Sequence, residues 1–513
     1  MKSTANASQP HLTSIFQKVE QQIELPKREY KEVIKQIRTQ LLELQFQAQE
    51  LDIPVIILIG GLDGAGRGDA LNLMMEFLDP RYINIHNLWS PTDEEQQRPL
   101  YWKYWRAMPA KGEIGVFFHG WYRDPLHDYA EGRLPQPDFE RKMRYVARLE
   151  KMLVDDGALV MKFWFHLTSE AQKERVKEHK KNPGSGFIVT SEEVERVKHY
   201  NQIVTAAARG IAITNTTEAP WFLIDAYEWR YRNVQFLGSL AEGLEEAIAR
   251  ASTPPVTSPS RTLSLGHFPN TASILDSVDL SASLDNRDYQ KVLKKQQHRL
   301  GKIAWKALEE GVSSIAVFEG WDAAGKGGTI RRMVHALDAR LFKVISTSGP
   351  TDEEKRHHYL WRFWRHVPRA GFVTIYDRSW YGRVLVERVE GFASTDEWER
   401  AYQEINDFEY QLARHGIVVV KFWMHISKDE QLRRFEERQA TPWKQHKITD
   451  EDWRNREKWD SYQRAVDDMV ARTSTTLAPW HILPANSKKL ARVEAIRHFV
   501  DAIEMRLKGE LKT

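Results

Sequence analysis

Apolar residues recur along this chain in two patterns. Unbroken runs of four to six, such as Val55-Ile56-Ile57-Leu58-Ile59, Gly115-Val116-Phe117-Phe118 and Ala158-Leu159-Val160-Met161-Lys162-Phe163, predict strands buried on both faces. Between them lie stretches with apolar residues three and four apart. Residues 27–51 are one, with Ile34, Ile37, Leu41, Leu44 and Phe46 near helical spacing. The second half repeats the alternation. A helical pattern near 288–310 precedes Ser314-Ile315-Ala316-Val317-Phe318, and Phe372-Val373-Thr374-Ile375-Tyr376 and Ile417-Val418-Val419-Val420-Lys421-Phe422 follow. Strands alternating with helices predict an α/β fold, a parallel sheet with helices on both faces.

The halves share more than a pattern. Gly61-Leu62-Asp63-Gly64-Ala65-Gly66-Arg67-Gly68 returns 259 residues later as Gly320-Trp321-Asp322-Ala323-Ala324-Gly325-Lys326-Gly327. Pro91-Thr92-Asp93-Glu94-Glu95 returns at the same offset as Pro350-Thr351-Asp352-Glu353-Glu354, and so do Trp102/Trp361, Trp105/Trp364, Trp121/Trp380 and Trp221/Trp480. A constant offset over about 160 residues means two copies of one domain, not a short-period solenoid. The copies are expected at 27–250 and 286–508. Residues 251–285, rich in Ser and Pro, read as a linker, and residues 1–12 as a polar, unstructured start.

The second copy carries a phosphate site. Gly320 to Lys326 fits G-x-x-x-x-G-K between an apolar strand and a helix expected from Thr329, the context that makes such a match a P-loop. Backbone N–H groups of Gly320, Ala323, Ala324, Gly325, Lys326, Gly327, Gly328 and Thr329 would curl around phosphate oxygens, aided by the helix N-terminus. Lys326 adds a mobile full charge. Gly327 stands where most P-loops place the Ser or Thr that binds Mg²⁺. Asp322 and Asp377, the latter ending a strand, are the candidate metal carboxylates instead. Arg378 and Arg383 follow Asp377, a grouping suited to phosphate charge. The helix bearing Arg433, Arg434 and Arg438 stands where nucleotide kinases put a lid; a solvated helix with i,i+4 ion pairs is the plainer reading.

Composition narrows the class. Net charge is +3, so anion affinity must come from local clusters. No cysteine is present, which rules out disulfides and thiolate metal sites. No apolar run approaches the roughly 18 residues of a membrane span, and the start carries no apolar secretion signal, so a cytoplasmic enzyme is expected. The 18 Trp residues, many among charges, are either packing elements or the wall of a cleft.

Gly320-x-Asp322-x-x-Gly325-Lys326-Gly327, Pro350-Thr351, Asp377-Arg378-Ser379-Trp380-Tyr381 and the Arg434/Arg438 helix together resemble the polyphosphate kinase 2 family. The duplication looks like its two-domain branch, the polyphosphate:AMP phosphotransferases. The resemblance implies a fold related to thymidylate kinase with a helical lid. It implies Mg²⁺-dependent (or Mn²⁺-dependent) transfer of the terminal phosphoryl of inorganic polyphosphate to AMP, giving ADP. It further implies that Asp322 and Asp377 sit at the metal and, with Thr351 and Glu387, at the nucleotide. Lys326, Arg378, Arg434 and Arg438 would hold polyphosphate, and Arg383 and Glu387 would belong to the catalytic set. No nucleic-acid or membrane partner is expected. A nucleoside-diphosphate acceptor giving ATP or GTP is the alternative within the class. A nucleotide hydrolase or a polyphosphate-binding scaffold are alternatives outside it.

At the same offset the first copy has Arg67 for Lys326, Asp69 for Gly328, Ala70 for Thr329, Phe118 for Asp377, His119 for Arg378, Gly120 for Ser379 and Asp124 for Arg383. Arg175 matches Arg434, but His179 replaces Arg438. Phe118 cannot ligate a metal. The first copy is therefore read as catalytically degenerate. The expected assembly is a fused pseudo-dimer or a homo-oligomer.

Overall fold

The computed structural model describes residues 13–87, 91–181, 191–253, 273–441, 448 and 450–510. The polar start, residues 254–272 of the expected linker and the His179 side chain lie outside the described residues.

Each half builds a five-stranded, all-parallel sheet. In the first, β1 (Val55–Gly61), β2 (Ile83–Asn87), β3 (Ile114–Phe118), β4 (Leu159–His166) and β5 (Trp221–Asp225) are arranged β2-β3-β1-β4-β5. In the second, β6 (Ser314–Gly320), β7 (Phe342–Ser346), β8 (Val373–Asp377), β9 (Val418–His425) and β10 (Trp480–Pro484) repeat the order as β7-β8-β6-β9-β10. The apolar runs became the three inner strands; β9 is buried along its whole length. The edge strands were not anticipated. β2 (Ile-Asn-Ile-His-Asn) and β7 (Phe-Lys-Val-Ile-Ser) are short and largely exposed, so they lack the continuous apolar run of an inner strand.

Long helices cover the sheets. Lys27–Glu50 matches the first helical pattern and buries Ile37, Leu41 and Leu44, whereas Phe46 faces solvent. Asn286–Glu309 is its counterpart and buries Leu293, Leu300 and Ala304. The helix after the second P-loop begins at Lys326, three residues before the predicted start.

Over the described residues the chain divides into two compact units. One is drawn from Met1–Ser90, Ala107–Val256 and Arg356–His358, the other from Pro91–Arg106, Thr257–Lys355 and Tyr359–Thr513. The segment from Pro91 thus groups with the second unit, in which the Trp105 ring stacks on Trp364 at 5.8 Å and Arg98 Nε donates to the Val367 carbonyl at 3.1 Å. The end of the expected linker is ordered: Ile274–Ser277 forms a 3₁₀ turn with Leu275 buried. Asp467 accepts hydrogen bonds from the Ser273 hydroxyl and the Ile274 N–H.

Candidate active site

The central strand β6 ends in Gly320, and the chain turns through the loop into the helix Lys326–Val334. Gly325 caps that helix at φ 108°, a left-handed conformation that favours glycine. Gly320 at φ 147° lies so close to Met424 that a Cβ would sit 2.6 Å from its carbonyl oxygen. Asp377 ends the neighbouring strand β8 and Arg378 follows it, so Asp322, Lys326, Asp377 and Arg378 meet at the C-terminal edge of the sheet, where open parallel sheets bind ligands.

A cleft of about 630 Å³ opens there. It is lined by the loop from Asp322 to Gly328, by Asp377 and Arg378, and by Arg331, Arg332 and Arg438. Lys326 Nζ folds back onto the carbonyls of Gly320 (2.7 Å) and Trp321 (3.3 Å). Burial pushes this ammonium below its ordinary pKa, against the pull of Asp322. Arg378, in the left-handed region at φ 63°, donates from Nη2 to Asp322 Oδ1 at 3.2 Å. Asn455 on the helix Asp450–Glu457 donates to Asp322 Oδ2 at 2.9 Å.

Beyond Asp322 lies a smaller cavity of about 70 Å³, walled by Trp321, Trp423, Tyr462, Leu385 and Val386 and closed by Gln431, Glu451 and Asn455. It shares Asp322 and Arg378 with the cleft. Trp321 stacks on Trp459 at 3.7 Å and donates from Nε1 to His425 Nδ1 at 3.0 Å. Of the two readings for the Trp residues, Trp321 and Trp423 fit the cleft wall, while Trp361, Trp364 and Trp380 are buried packing elements.

Among the described residues no three His, Asp or Glu side chains gather into a metal-binding group. Asp322 and Asp377 put two hard carboxylates on one cleft. That donor set fits Mg²⁺, which takes one or two carboxylates and completes its shell with phosphate oxygens and water.

Several expected site residues sit elsewhere. Arg434, expected at the polyphosphate, is 2% exposed. Its Nε meets Glu430 at 2.6 Å, Nη1 donates to the carbonyls of Ala323 (2.9 Å) and Ala324 (3.1 Å), and Nη2 to those of Ala485 (2.7 Å) and Asn486 (2.9 Å). Its guanidinium therefore grips the P-loop from behind by its carbonyls. Arg175 makes the equivalent bonds to the carbonyls of Gly64 and Tyr227. The grip is common to both copies and independent of the chemistry. Arg434→Ala should destabilise the second unit by about 2–4 kcal/mol through lost charged hydrogen bonds; thermal unfolding checks this, and an unchanged midpoint would contradict it.

Arg383 and Glu387 pair with each other at 3.1 Å; Arg383 also reaches Glu397 at 3.4 Å and lies over the Tyr359 ring. Neither lines the cleft or the cavity. Thr351 caps the helix Asp352–Lys355: Glu354 N–H donates to its hydroxyl at 3.2 Å, and its own N–H donates to the Glu354 carboxylate at 2.9 Å. Thr329 is buried and donates back to the Gly325 carbonyl at 3.2 Å.

Arg331 and Arg332 were not anticipated, nor were Lys488 and Arg492, which approach Gly325 and Gly328 from the last helix. The repeat held the signal: the first copy has Asn72, Leu73, Trp229 and Asn233 at those four positions. These four cations are present in the second copy and have no counterpart at the matching positions of the first.

The first copy's loop is filled from within. Asp63 accepts from Arg67 Nη2 at 3.1 Å and from Arg196 Nε at 2.7 Å, and the Arg67 guanidinium lies 5.2 Å from the Phe118 ring centroid. Burial, then the charge of Arg67, pushes His119 down to about 2, so it stays neutral where the second copy holds Arg378. No described helix is long and apolar enough to cross a membrane.

Comparison with known proteins agrees with this geometry. The family model "Polyphosphate kinase 2 (PPK2)" matches twice, over residues 24–251 and 283–510. The chain is 44% identical over 500 residues to the polyphosphate:AMP phosphotransferase of Pseudomonas aeruginosa, covering 97% of this chain and 100% of that one. It is 43% identical to the polyphosphate:AMP phosphotransferase of Pseudomonas syringae pv. tomato, over 93% and 95% of the two chains. A crystal structure of a polyphosphate kinase 2 from P. aeruginosa superposes with a TM-score of 0.86 at 42% identity, over 96% of this chain and 99% of that one. The chain belongs to the polyphosphate kinase 2 family, as two tandem copies of its domain.

Proposed function

We propose that this chain is a polyphosphate:AMP phosphotransferase whose second domain moves the terminal phosphoryl group of inorganic polyphosphate to AMP, forming ADP. The observation that carries the reading is the pair of adjoining cavities sharing Asp322 and Arg378, one basic and lined by the P-loop, the other walled by aromatic rings. The full-length likeness to two polyphosphate:AMP phosphotransferases supports AMP as acceptor.

Polyphosphate enters the basic cleft. The loop N–H groups and Lys326 hold its terminal phosphoryl, and Arg331, Arg332 and Arg438 neutralise the units behind it. Lys326 leaves the Gly320 and Trp321 carbonyls to do so. AMP occupies the aromatic side, its phosphate beside Arg378. At about 70 Å³ that cavity is below the roughly 300 Å³ of ordinary ligand pockets, so binding requires the helix Asp450–Glu457 to swing outward and break the Asn455–Asp322 bond. Asp322 and Asp377 would hold Mg²⁺, which would offset the charge of the phosphate groups there. An AMP phosphate oxygen is ionised at neutral pH and polyphosphate is a good leaving group, so alignment and charge neutralisation suffice without a strong base. The reading carries with it a cytoplasmic location, where AMP is found, and either a homo-oligomer or a fused pseudo-dimer as the assembly.

Supplying AMP, ADP, GMP and GDP in turn with long-chain polyphosphate and Mg²⁺ tests the acceptor. Fastest turnover with AMP is expected; faster turnover with a diphosphate would favour the nucleoside-diphosphate kinase alternative within the class. The division of labour has its own test. Asp377→Asn should lower kcat by about 10²-fold or more through loss of a metal carboxylate. Asp63→Asn should instead loosen the first unit, by about 1–3 kcal/mol, because Arg67 and Arg196 lose a buried charged partner. Equal losses of kcat would mean that the first copy takes part in chemistry.

A further inference from the structure

The ladder between β6 and β8 ends at Phe318 and Asp377, and its last backbone hydrogen bond runs from Arg378 N–H to the Phe318 carbonyl at 3.1 Å. Just beyond it, Glu319 on β6 and Ser379, two residues past Asp377, carry buried polar side chains. Glu319 is 5% and Ser379 2% exposed, and the Ser379 hydroxyl donates to Glu319 Oε1 at 2.8 Å. The same hydroxyl accepts from Tyr381 N–H at 3.3 Å, so it closes the turn in which Arg378 holds its left-handed backbone. Glu319 immediately precedes the P-loop and lines the aromatic cavity beside Asp322 and Arg378.

The first copy supplies the comparison. Its ladder ends at the equivalent pair, Ile59 and Phe118, with His119 N–H donating to the Ile59 carbonyl at 2.9 Å and His119 at φ 71°. The strand end and the left-handed residue after it are therefore made there too, yet Gly60 and Gly120 occupy the positions of Glu319 and Ser379, and Gly120 sits at φ 39° where Ser379 is extended at φ −150°. The ladder and its left-handed residue form without this bond. It is present only in the copy that keeps Lys326, Asp377 and Arg378. Burying a carboxylate is costly, so its presence calls for a role beyond folding.

We infer that the Glu319–Ser379 hydrogen bond is a brace that extends the β6–β8 ladder by one side-chain rung and fixes the P-loop against the Asp377–Arg378 turn. Both are positioning residues for phosphoryl transfer. The brace sets the spacing between Asp322 and Lys326 on one strand end and Asp377 and Arg378 on the other, which an in-line transfer requires to within a fraction of an ångström. The inference rests on the proposed reaction for its kinetic arm but not for its structural arm.

The full chain and its Ser379→Ala, Glu319→Ala and Glu319→Gln variants test it, with ADP formation from AMP, polyphosphate and Mg²⁺ measured alongside amide hydrogen exchange. Ser379→Ala should lower kcat about 10- to 100-fold, leaving KM for AMP and for polyphosphate within about threefold. Glu319→Ala should do the same, and the double variant should be no worse than either single one. Glu319→Gln keeps an oxygen that accepts from Ser379 and should recover most of the loss. Exchange should speed up at residues 320–329 and 377–385 and stay unchanged in the first unit. A kcat within about twofold of wild type in Ser379→Ala, losses that multiply in the double variant, or Glu319→Gln falling as far as Glu319→Ala would each overturn the brace. If the wild-type chain forms no ADP, the proposed reaction fails and exchange alone decides: unchanged exchange in Ser379→Ala at both segments then overturns the brace as well.

Discussion

Lys326→Ala should lower kcat by about 10³-fold or more while leaving the thermal unfolding midpoint in place. Lys326 lies at the helix N-terminus inside the loop, and its ammonium now rests on the Gly320 and Trp321 carbonyls at 2.7 and 3.3 Å. Those two bonds hold it ready to reach a phosphoryl group as charge develops there, and a donor aimed at developing charge contributes more to the transition state than to the ground state. Arg67 cannot take over, because it is paired with Asp63 in the first unit. Steady-state ADP formation and calorimetry check both parts. Activity within about tenfold of wild type would remove Lys326 from the reaction.

The largest expected effect on stability lies at a different lysine. Lys421 is fully buried in β9 and donates to Glu409 at 2.7 Å, to the Tyr381 hydroxyl at 2.8 Å and to the Thr473 carbonyl at 2.8 Å. Glu409 also accepts from the Tyr381 hydroxyl at 2.7 Å and from Trp380 Nε1 at 3.0 Å. The first unit builds the same network from Lys162, Glu150, Tyr122, Trp121 and Thr214. Lys421→Met should destabilise the second unit by about 3–5 kcal/mol, because Glu409 is left as a buried, unpaired carboxylate. Pairing it with Glu409→Leu should recover much of that, since an apolar pair of similar volume is often neutral. Denaturant unfolding gives the number; a loss under about 1 kcal/mol would show that water reaches Glu409.

The parts of this protein legible in its sequence are those encoded by contiguous residues. The P-loop reads directly because strand, glycine turn and helix follow one another, and the inner strands read because burial on both faces demands an apolar run. The edge strands β2 and β7 did not, because exposure leaves them little apolar signal. Arg434 was misread for a different reason. From sequence, the helix of Gln431, Arg433, Arg434 and Arg438 reads either as a lid or as a solvated face with ion pairs. Whether an arginine faces a ligand or the back of a loop depends on what approaches from elsewhere, here the carbonyls of Ala485 and Asn486 after β10. Arg383 was drawn into the site by its proximity to Asp377 in sequence and Glu387 by the family resemblance, and the fold pairs them with each other. Asn455 reaches Asp322 across 133 residues, a distance no local pattern bridges. The four cations Arg331, Arg332, Lys488 and Arg492 and the residues of the Glu319–Ser379 bond all appear in the sequence as differences between the copies at the fixed offset.

The most direct test of the account follows the phosphorus itself. Polyphosphate labelled in its terminal phosphoryl group is incubated with the full chain, unlabelled AMP and Mg²⁺, and the products are resolved. The account predicts label in the β-phosphate of ADP, one ADP for each unit lost from the chain end, and none of it in Lys326→Ala. Label released as inorganic phosphate, or polyphosphate left intact beside unchanged AMP, would contradict it.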